Sequence, residues 1–162
     1  MADRQEPATS ANREFSTPNN GPYNIFAETG ITIEFFHCDP LGVVWHGNYF
    51  DFFESARRAL LQKIGYDYDE MKASGYAFPV VDAGAKYTGY LKFKDQALVK
   101  AILAEYENRL KIKFEIRNAK TGRITTKGTT TQMAYDVKEN ESCFVSPKIL
   151  IEKIEAIIKG NK

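Results

Sequence analysis

The chain has 162 residues, with 22 Lys and Arg against 21 Asp and Glu. That length suits one domain with a sizeable core. The balanced charge excludes the basic excess of a general nucleic-acid binder, and no apolar run reaches membrane-spanning length.

The two cysteines, Cys38 and Cys143, give no disulfide framework, and with only His37 and His46 there is no zinc-type ligand cluster. A reduced, cytoplasmic setting is expected. Met1 to Gly21 is rich in Asn, Pro, Ser, Thr and charge and lacks the apolar stretch of a secretory signal. Residues 1–28 are read as a disordered tail and 29–162 as a single domain.

Ile31, Ile33 and Phe35 alternate with Thr32, Glu34 and Phe36, which predicts a strand from Ile31 to His37. Asp39-Pro40-Leu41-Gly42 has the residue order of a turn. Tyr49, Phe52, Phe53, Ala56, Leu60 and Ile64 then follow helical spacing. They predict an amphipathic helix from Tyr49 to Ile64, roughly 24 Å long at the α-helical rise. Asn48 is its expected cap, Asp51 sits near the positive end of its dipole, and Gly65 stops it.

Four strands are predicted next: Phe78 to Tyr90, Leu98 to Tyr106, Leu110 to Ile116, and the Thr-rich Arg123 to Val137. Short turns between them make antiparallel neighbours. Ser146-Pro147 opens a last helix ending near Lys159. The class is α+β, one long helix against one antiparallel sheet. A single sheet cannot wrap an aromatic helix all round, so a dimer or larger oligomer is expected.

The stretch from Asp39 to Tyr49 puts a carboxylate, an imidazole and a helix start close together. A helix start carries unpaired N–H groups that can hold a carbonyl oxygen while the acid or the histidine handles the nucleophile. That is a hydrolytic constellation.

The run Phe35-Phe36-His37-Cys38-Asp39-Pro40-Leu41-Gly42-Val43-Val44-Trp45-His46-Gly47-Asn48-Tyr49, followed by Phe53-Glu54-Ser55-Ala56-Arg57, resembles the signature of hotdog-fold acyl-CoA thioesterases. The group it is most similar to is the 4-hydroxybenzoyl-CoA thioesterase-like family, which includes the Tol–Pal-associated thioesterases. The resemblance covers Thr29 to about Val137. It implies a helix gripped by a curved antiparallel sheet, dimers with edge-joined sheets, frequent homotetramers, and sites at the dimer interface. It implies no metal or redox cofactor, with coenzyme A entering as part of the substrate. Asp39 falls on the catalytic carboxylate and His46 on a position held by His or Tyr; the helix-start N–H is the carbonyl-polarising donor. The chain departs from the pattern in its long N-terminal tail and in having Tyr90-Leu91-Lys92-Phe93-Lys94 where many relatives carry a Pro-containing turn.

On that resemblance Asp39 is a general base or a nucleophile; the plainer reading is a turn closed by an Asx hydrogen bond. His46 orients or polarises the thioester carbonyl, or merely occupies an exposed helix start. Gly47 permits close approach of substrate, Asn48 caps or contacts it, and Tyr49 packs in the core with a hydroxyl that could reach the site. Glu54 and Arg57 read as a solvated or interfacial pair, and Cys38 as a small strand-end residue. Lys86, Lys92, Lys94, Arg109 and Lys111 are candidates for the coenzyme A phosphates, or ordinary surface charge. Phe52, Phe53, Tyr76, Phe78 and Tyr87 are candidates for an acyl pocket, or core. The competing reading is a hotdog protein that binds acyl thioesters without turnover. A hydratase or dehydratase would need a different His and acid arrangement.

Overall fold

Residues Asn48–Ile64 form the long helix α1, because one face of that segment is apolar at every turn. Tyr49, Phe52, Phe53, Ala56, Leu60, Leu61 and Ile64 are all buried. The computed structural model describes residues 19–161. Before α1 come strand β1 (Phe26–Thr32) and one turn of 3-10 helix, Phe35–His37. After it come α2 (Tyr68–Ser74), β2 (Tyr76–Ala77), β3 (Val80–Tyr87), β4 (Gln96–Glu105), β5 (Leu110–Asn118), β6 (Ile124–Gln132), β7 (Tyr135–Asp136), β8 (Glu141–Ser142) and α3 (Lys148–Gly160).

The main sheet runs β1-β4-β5-β6-β3, and every neighbouring pair is antiparallel. A small second sheet runs β2-β7-β8. Alternation in the sequence sets which face looks at the helix. Ala97, Val99, Ala101 and Leu103 of β4 and Leu110, Ile112, Phe114 and Ile116 of β5 are buried against α1, while Lys111, Lys113, Glu115 and Arg117 point outward. This is the expected α+β hotdog arrangement, a helix held in a curved antiparallel sheet. Among the described residues no helix is long and apolar enough to cross a membrane.

The first strand lies earlier than the alternation predicted. It ends at Thr32, and Phe35 and Phe36 stand 77% and 78% exposed in the 3-10 turn. Pairing with β4 decides the matter: Phe26 to Thr32 register against Ile102 to Gln96. Residues 25–28 therefore belong to the folded body. Of the expected tail, residues 1–18 lie outside the described residues. The helix α2 was not expected; Asp67 caps it by accepting from the Tyr68 N–H at 2.8 Å, and Gly75 ends it at φ +85°.

The core is closely packed where α1 meets β5 and β6. The Phe53 ring stacks on Phe114 with centroids 4.6 Å apart. Gly128 on β6 lets it sit there, since a Cβ at that position would be 2.4 Å from the Phe53 ring. Overpacking of this kind costs about 1–3 kcal/mol. Gly128→Ala is therefore expected to lower the urea midpoint of unfolding by a corresponding amount, with the m-value unchanged, in equilibrium denaturation followed by circular dichroism.

Candidate active site

The segment between the 3-10 turn and α1 is a short hairpin. Cys38 and Val44 pair across it, the Asp39 N–H donates to the Val43 carbonyl at 2.9 Å, and the Trp45 N–H donates to the His37 carbonyl at 2.9 Å. Gly42, at φ +80°, closes the turn by donating to the Asp39 carbonyl at 2.9 Å. The hairpin is stitched on its other side to the chain after β3. The Val44 N–H donates to the Leu91 carbonyl at 2.9 Å, and Val43 pairs with Lys92.

This geometry fixes Asp39. Its Oδ1 accepts the Leu41 N–H at 2.8 Å, the Asx bond that a turn of this composition favours. Its Oδ2 has no hydrogen-bond partner among the described residues. The plain turn reading and the chemical reading are thus compatible: one oxygen anchors the carboxylate and the other is left without a partner among the described residues.

The start of α1 differs from expectation. The cap is Gly47, in helical dihedrals (φ −68°, ψ −26°), and no side chain caps the helix. Asn48 is the first helical residue, and its Nδ2 donates at 2.7 Å to the His37 carbonyl, the same atom that receives the Trp45 N–H. That pull takes the Asn48 side chain away from capping and leaves the backbone donors open. The His46 and Gly47 N–H groups have no acceptor among the described residues. They lie at the positive end of the helix dipole, where a developing oxyanion is favoured.

His46 is exposed, and its ring sits beside Trp45 and Tyr87, with centroids 5.1 and 6.3 Å away. Its side chain makes no hydrogen bond with Asp39. His46 lies three residues beyond the Asp39–Val43 rung, in the turn that leads into α1. Tyr49 is 2% exposed. Burial pushes its phenol up, opposed by the Leu91 main chain and the Thr126 hydroxyl. Tyr49 packs in the core behind the helix start, as expected.

Three side chains near the site make contacts that local sequence does not define. Trp45 covers Gly47 so closely that a Cβ there would be 2.3 to 2.8 Å from its ring. Tyr87, the last residue of β3, donates its hydroxyl to the His46 carbonyl at 2.9 Å. His37 accepts the Glu34 N–H on Nδ1 at 2.9 Å, which assigns the neutral ring proton to Nε2. For Trp45 the only hint was its place two residues before the helix cap.

The charged candidates separate. Arg109 is paired with Glu105 at 3.1 Å, and Lys111 lies opposite Glu105 in the ladder. Lys86 is on the outward face of β3, opposite Lys127. Lys92 and Lys94 alone of the group lie on the turn that pairs with the hairpin. Arg57 is not a solvated partner of Glu54. It is 5% exposed, paired with Glu54 through Nη2 with Tyr68 beside it, and burial pulls its guanidinium down. The neighbouring apolar stripe of α1 carries it inward. Among the described residues no group of three or more His, Cys, Asp or Glu side chains forms a metal site.

A cavity of about 690 Å³ lies between α2, β2 and β7 and is lined by Tyr68, Met71, Tyr76, Phe78, Pro79 and Tyr135 among others. Asp39 and His46 are not part of its lining. Phe52 and Phe53 are core, so of the five aromatic pocket candidates only Tyr76 and Phe78 line it, and Tyr87 stands at the helix start.

Trp45 is the only tryptophan, so its fluorescence reports on the helix start alone. Gly47 has an ordinary negative φ, which any residue tolerates. Gly47→Ala is therefore expected to displace the indole rather than strain the backbone. The variant should show a red-shifted emission and stronger acrylamide quenching, with α-helical circular dichroism unchanged.

Residues 33–152 match the sequence model of the thioesterase-like superfamily, well over half of the chain. The Bacillus subtilis protein YneP, whose name assigns it provisionally to the acyl-CoA thioesterases, is 28% identical over 107 residues, 65% of this chain and 77% of its own length. The crystal structure of a DHNA-CoA thioesterase from Staphylococcus aureus is 26% identical, with a TM-score of 0.71 over 85% of this chain and 95% of that one. A 4-hydroxybenzoyl-CoA thioesterase crystallised with 4-hydroxybenzoyl-CoA gives a TM-score of 0.71 at 17% identity, over 80% of this chain and 99% of that one, and shares the fold.

Proposed function

The chain belongs to the thioesterase-like superfamily, and from that premise we propose that it hydrolyses an acyl-CoA thioester to the free acid and coenzyme A. The observation that carries this reading is the pairing of a half-anchored carboxylate with an uncapped helix start. Asp39 holds Oδ1 on the Leu41 N–H and leaves Oδ2 open, while the His46 and Gly47 N–H groups stand unpaired. The two halves are joined at the His37 carbonyl.

In the reaction the thioester carbonyl oxygen lies on the helix-start donors. Asp39 Oδ2 either takes a proton from water as it attacks the carbonyl carbon, or attacks directly to give a mixed anhydride that water then opens. The C–S bond breaks, the thiolate leaves with the electron pair, and the proton released from water ends on the thiol. The donors are set before the oxyanion forms, so the gain is in the transition state. His46 flanks the acyl end, and Lys92 and Lys94 are the cations best placed for coenzyme A phosphates. The chemistry calls for no metal or redox group.

Asp39→Asn keeps an oxygen for the Leu41 N–H, so the turn survives while the basic oxygen is lost. Thiol release from a panel of short, medium, long and aryl acyl-CoA esters is expected to fall about 10²–10⁴-fold, with an unchanged melting temperature. Turnover near wild type in the variant would remove Asp39 from the chemistry. No release from any ester by folded wild type would favour the non-catalytic binder.

The second copy expected from the sequence would join at β3. That strand is the edge of the sheet opposite β1, and Val80 and Val81 are 44% and 56% exposed on it. Its outward residues read Asp82, Gly84, Lys86. Antiparallel pairing of two copies about Gly84 sets Asp82 against Lys86 twice, a self-complementary edge. Lys86→Asp is expected to give monomers in sedimentation analysis, and the double variant with Asp82→Lys to restore the dimer. A dimeric Lys86→Asp protein would exclude this register.

A further inference from the structure

The His46–Gly47 peptide is held from one side. Its carbonyl receives the Tyr87 hydroxyl at 2.9 Å, across 41 residues of sequence. Its N–H, on Gly47, has no acceptor among the described residues. There is no cis peptide bond among the described residues, and in a trans peptide the C=O and N–H point in opposite directions. Whatever fixes the carbonyl therefore aims the N–H. Holding the oxygen from β3 turns the Gly47 N–H away from β3.

We infer that Tyr87 is a positioning residue for the carbonyl-polarising donor. Its hydroxyl locks the His46–Gly47 peptide plane, and the Gly47 N–H is thereby presented to the thioester oxygen. The inference rests on the thioesterase reading and adds to it a residue outside the hairpin and the helix. Three further observations support it. The Tyr87 ring, 42% exposed, packs beside Tyr49 with centroids 5.1 Å apart and beside His46 at 6.3 Å, which narrows the positions open to the phenol. The strand end behind it is pinned, because the Thr88 and Gly89 N–H groups both donate to the Thr125 carbonyl at 2.9 and 3.0 Å. Burial pushes the Tyr87 phenol up, so at neutral pH it remains a protonated donor.

The bond also acts through polarisation. A donor on an amide oxygen draws electron density from the nitrogen and strengthens the N–H as a donor. When the thioester carbonyl accepts from Gly47, a chain forms from the Tyr87 O–H through the peptide to the substrate oxygen. Its strength grows as that oxygen becomes negative. The contribution belongs to the transition state more than to the bound ester, so it raises kcat and leaves KM nearly alone.

Tyr87→Phe keeps the ring and removes the bond. With benzoyl-CoA as probe, kcat is expected to fall about tenfold and KM to stay within about twofold. The direct readout is the C=O stretch of benzoyl-CoA bound to Asp39→Asn protein, by isotope-edited infrared difference spectroscopy. The stretch should lie below that of the free ester, and adding Tyr87→Phe should move it back toward the free value. If Tyr87→Phe fails to fold, 3-fluorotyrosine at position 87 serves instead, since its more acidic phenol is a stronger donor and should move the band further down. An unmoved band in either variant overturns the inference, as does a kcat equal to wild type. A loss that falls on KM with the band unmoved would make Tyr87 merely structural. Absence of benzoyl-CoA hydrolysis and binding by wild type would remove the thioesterase reading for this probe and the inference with it.

Discussion

The main-chain carbonyl of His37 accepts two hydrogen bonds, from the Trp45 N–H at 2.9 Å and from the Asn48 amide at 2.7 Å. The first closes the hairpin that carries Asp39. The second ties that hairpin to the first turn of α1. Each is worth about 0.5–1.5 kcal/mol in net stability, but their geometric effect is larger. They make the carboxylate and the helix start one rigid unit, though no side chain of one touches a side chain of the other through a hydrogen bond. The Val44 N–H to Leu91 and the Val43–Lys92 pairing then fasten the unit to the chain that follows β3.

A helix normally spends a Ser, Thr, Asp or Asn side chain on its first N–H groups. Here the Asn is present, one position late, and bonded elsewhere. The cap falls to Gly47, which costs only a few tenths of a kcal/mol relative to the better caps. For that small loss the donors stay open toward any carbonyl brought to them. The glycine is needed for a second reason, the Trp45 ring lying directly against it. The indole covers one side of the cap, so the helix start is screened from water there without being filled. Rigidity behind the site comes from the aromatic core, where Phe53, packed over Gly128 and Phe114, fixes α1 against the sheet.

Most of the frame was legible because it rests on local periodicity. The 3.6-residue stripe of α1, the alternation of β5 and the Asp-Pro-Leu-Gly turn all came through with boundaries close to those observed. Alternation misled at Ile31 to His37, because Phe35 and Phe36 are apolar yet exposed, and pattern alone cannot tell a buried phenylalanine from one left on the surface. The register with β4 decides the strand, and that is a long-range fact. Arg57 pairs with Glu54 as expected but is buried rather than solvated, because rotation of α1 about its axis sets which flank of the apolar stripe is covered, and only the packed sheet sets that rotation. The helix α2 had its signals in Asp67 and Gly75, but seven residues give too little periodicity to weigh.

What no reading of the sequence would have found is the bond from Tyr87 to the His46 carbonyl, since nothing local connects the end of one strand to the start of a helix 41 residues away. Its placement has a consequence for assembly. Tyr87 ends β3, and β3 is a sheet edge whose free side carries Asp82, Gly84 and Lys86. An edge strand held on one side only twists more freely than one paired on both. A second copy paired along β3 would fix that twist, and with it the position of the Tyr87 hydroxyl. The residue that holds the His46 carbonyl and the proposed association edge thus share one strand, so such pairing would make the geometry of the His46–Gly47 peptide a property of two chains rather than one. Under the proposed pairing, a hydrolytic site of this design would gain from lying at the seam between two sheets. The same hydrogen bonds that join the copies would hold steady the donor that the reaction needs.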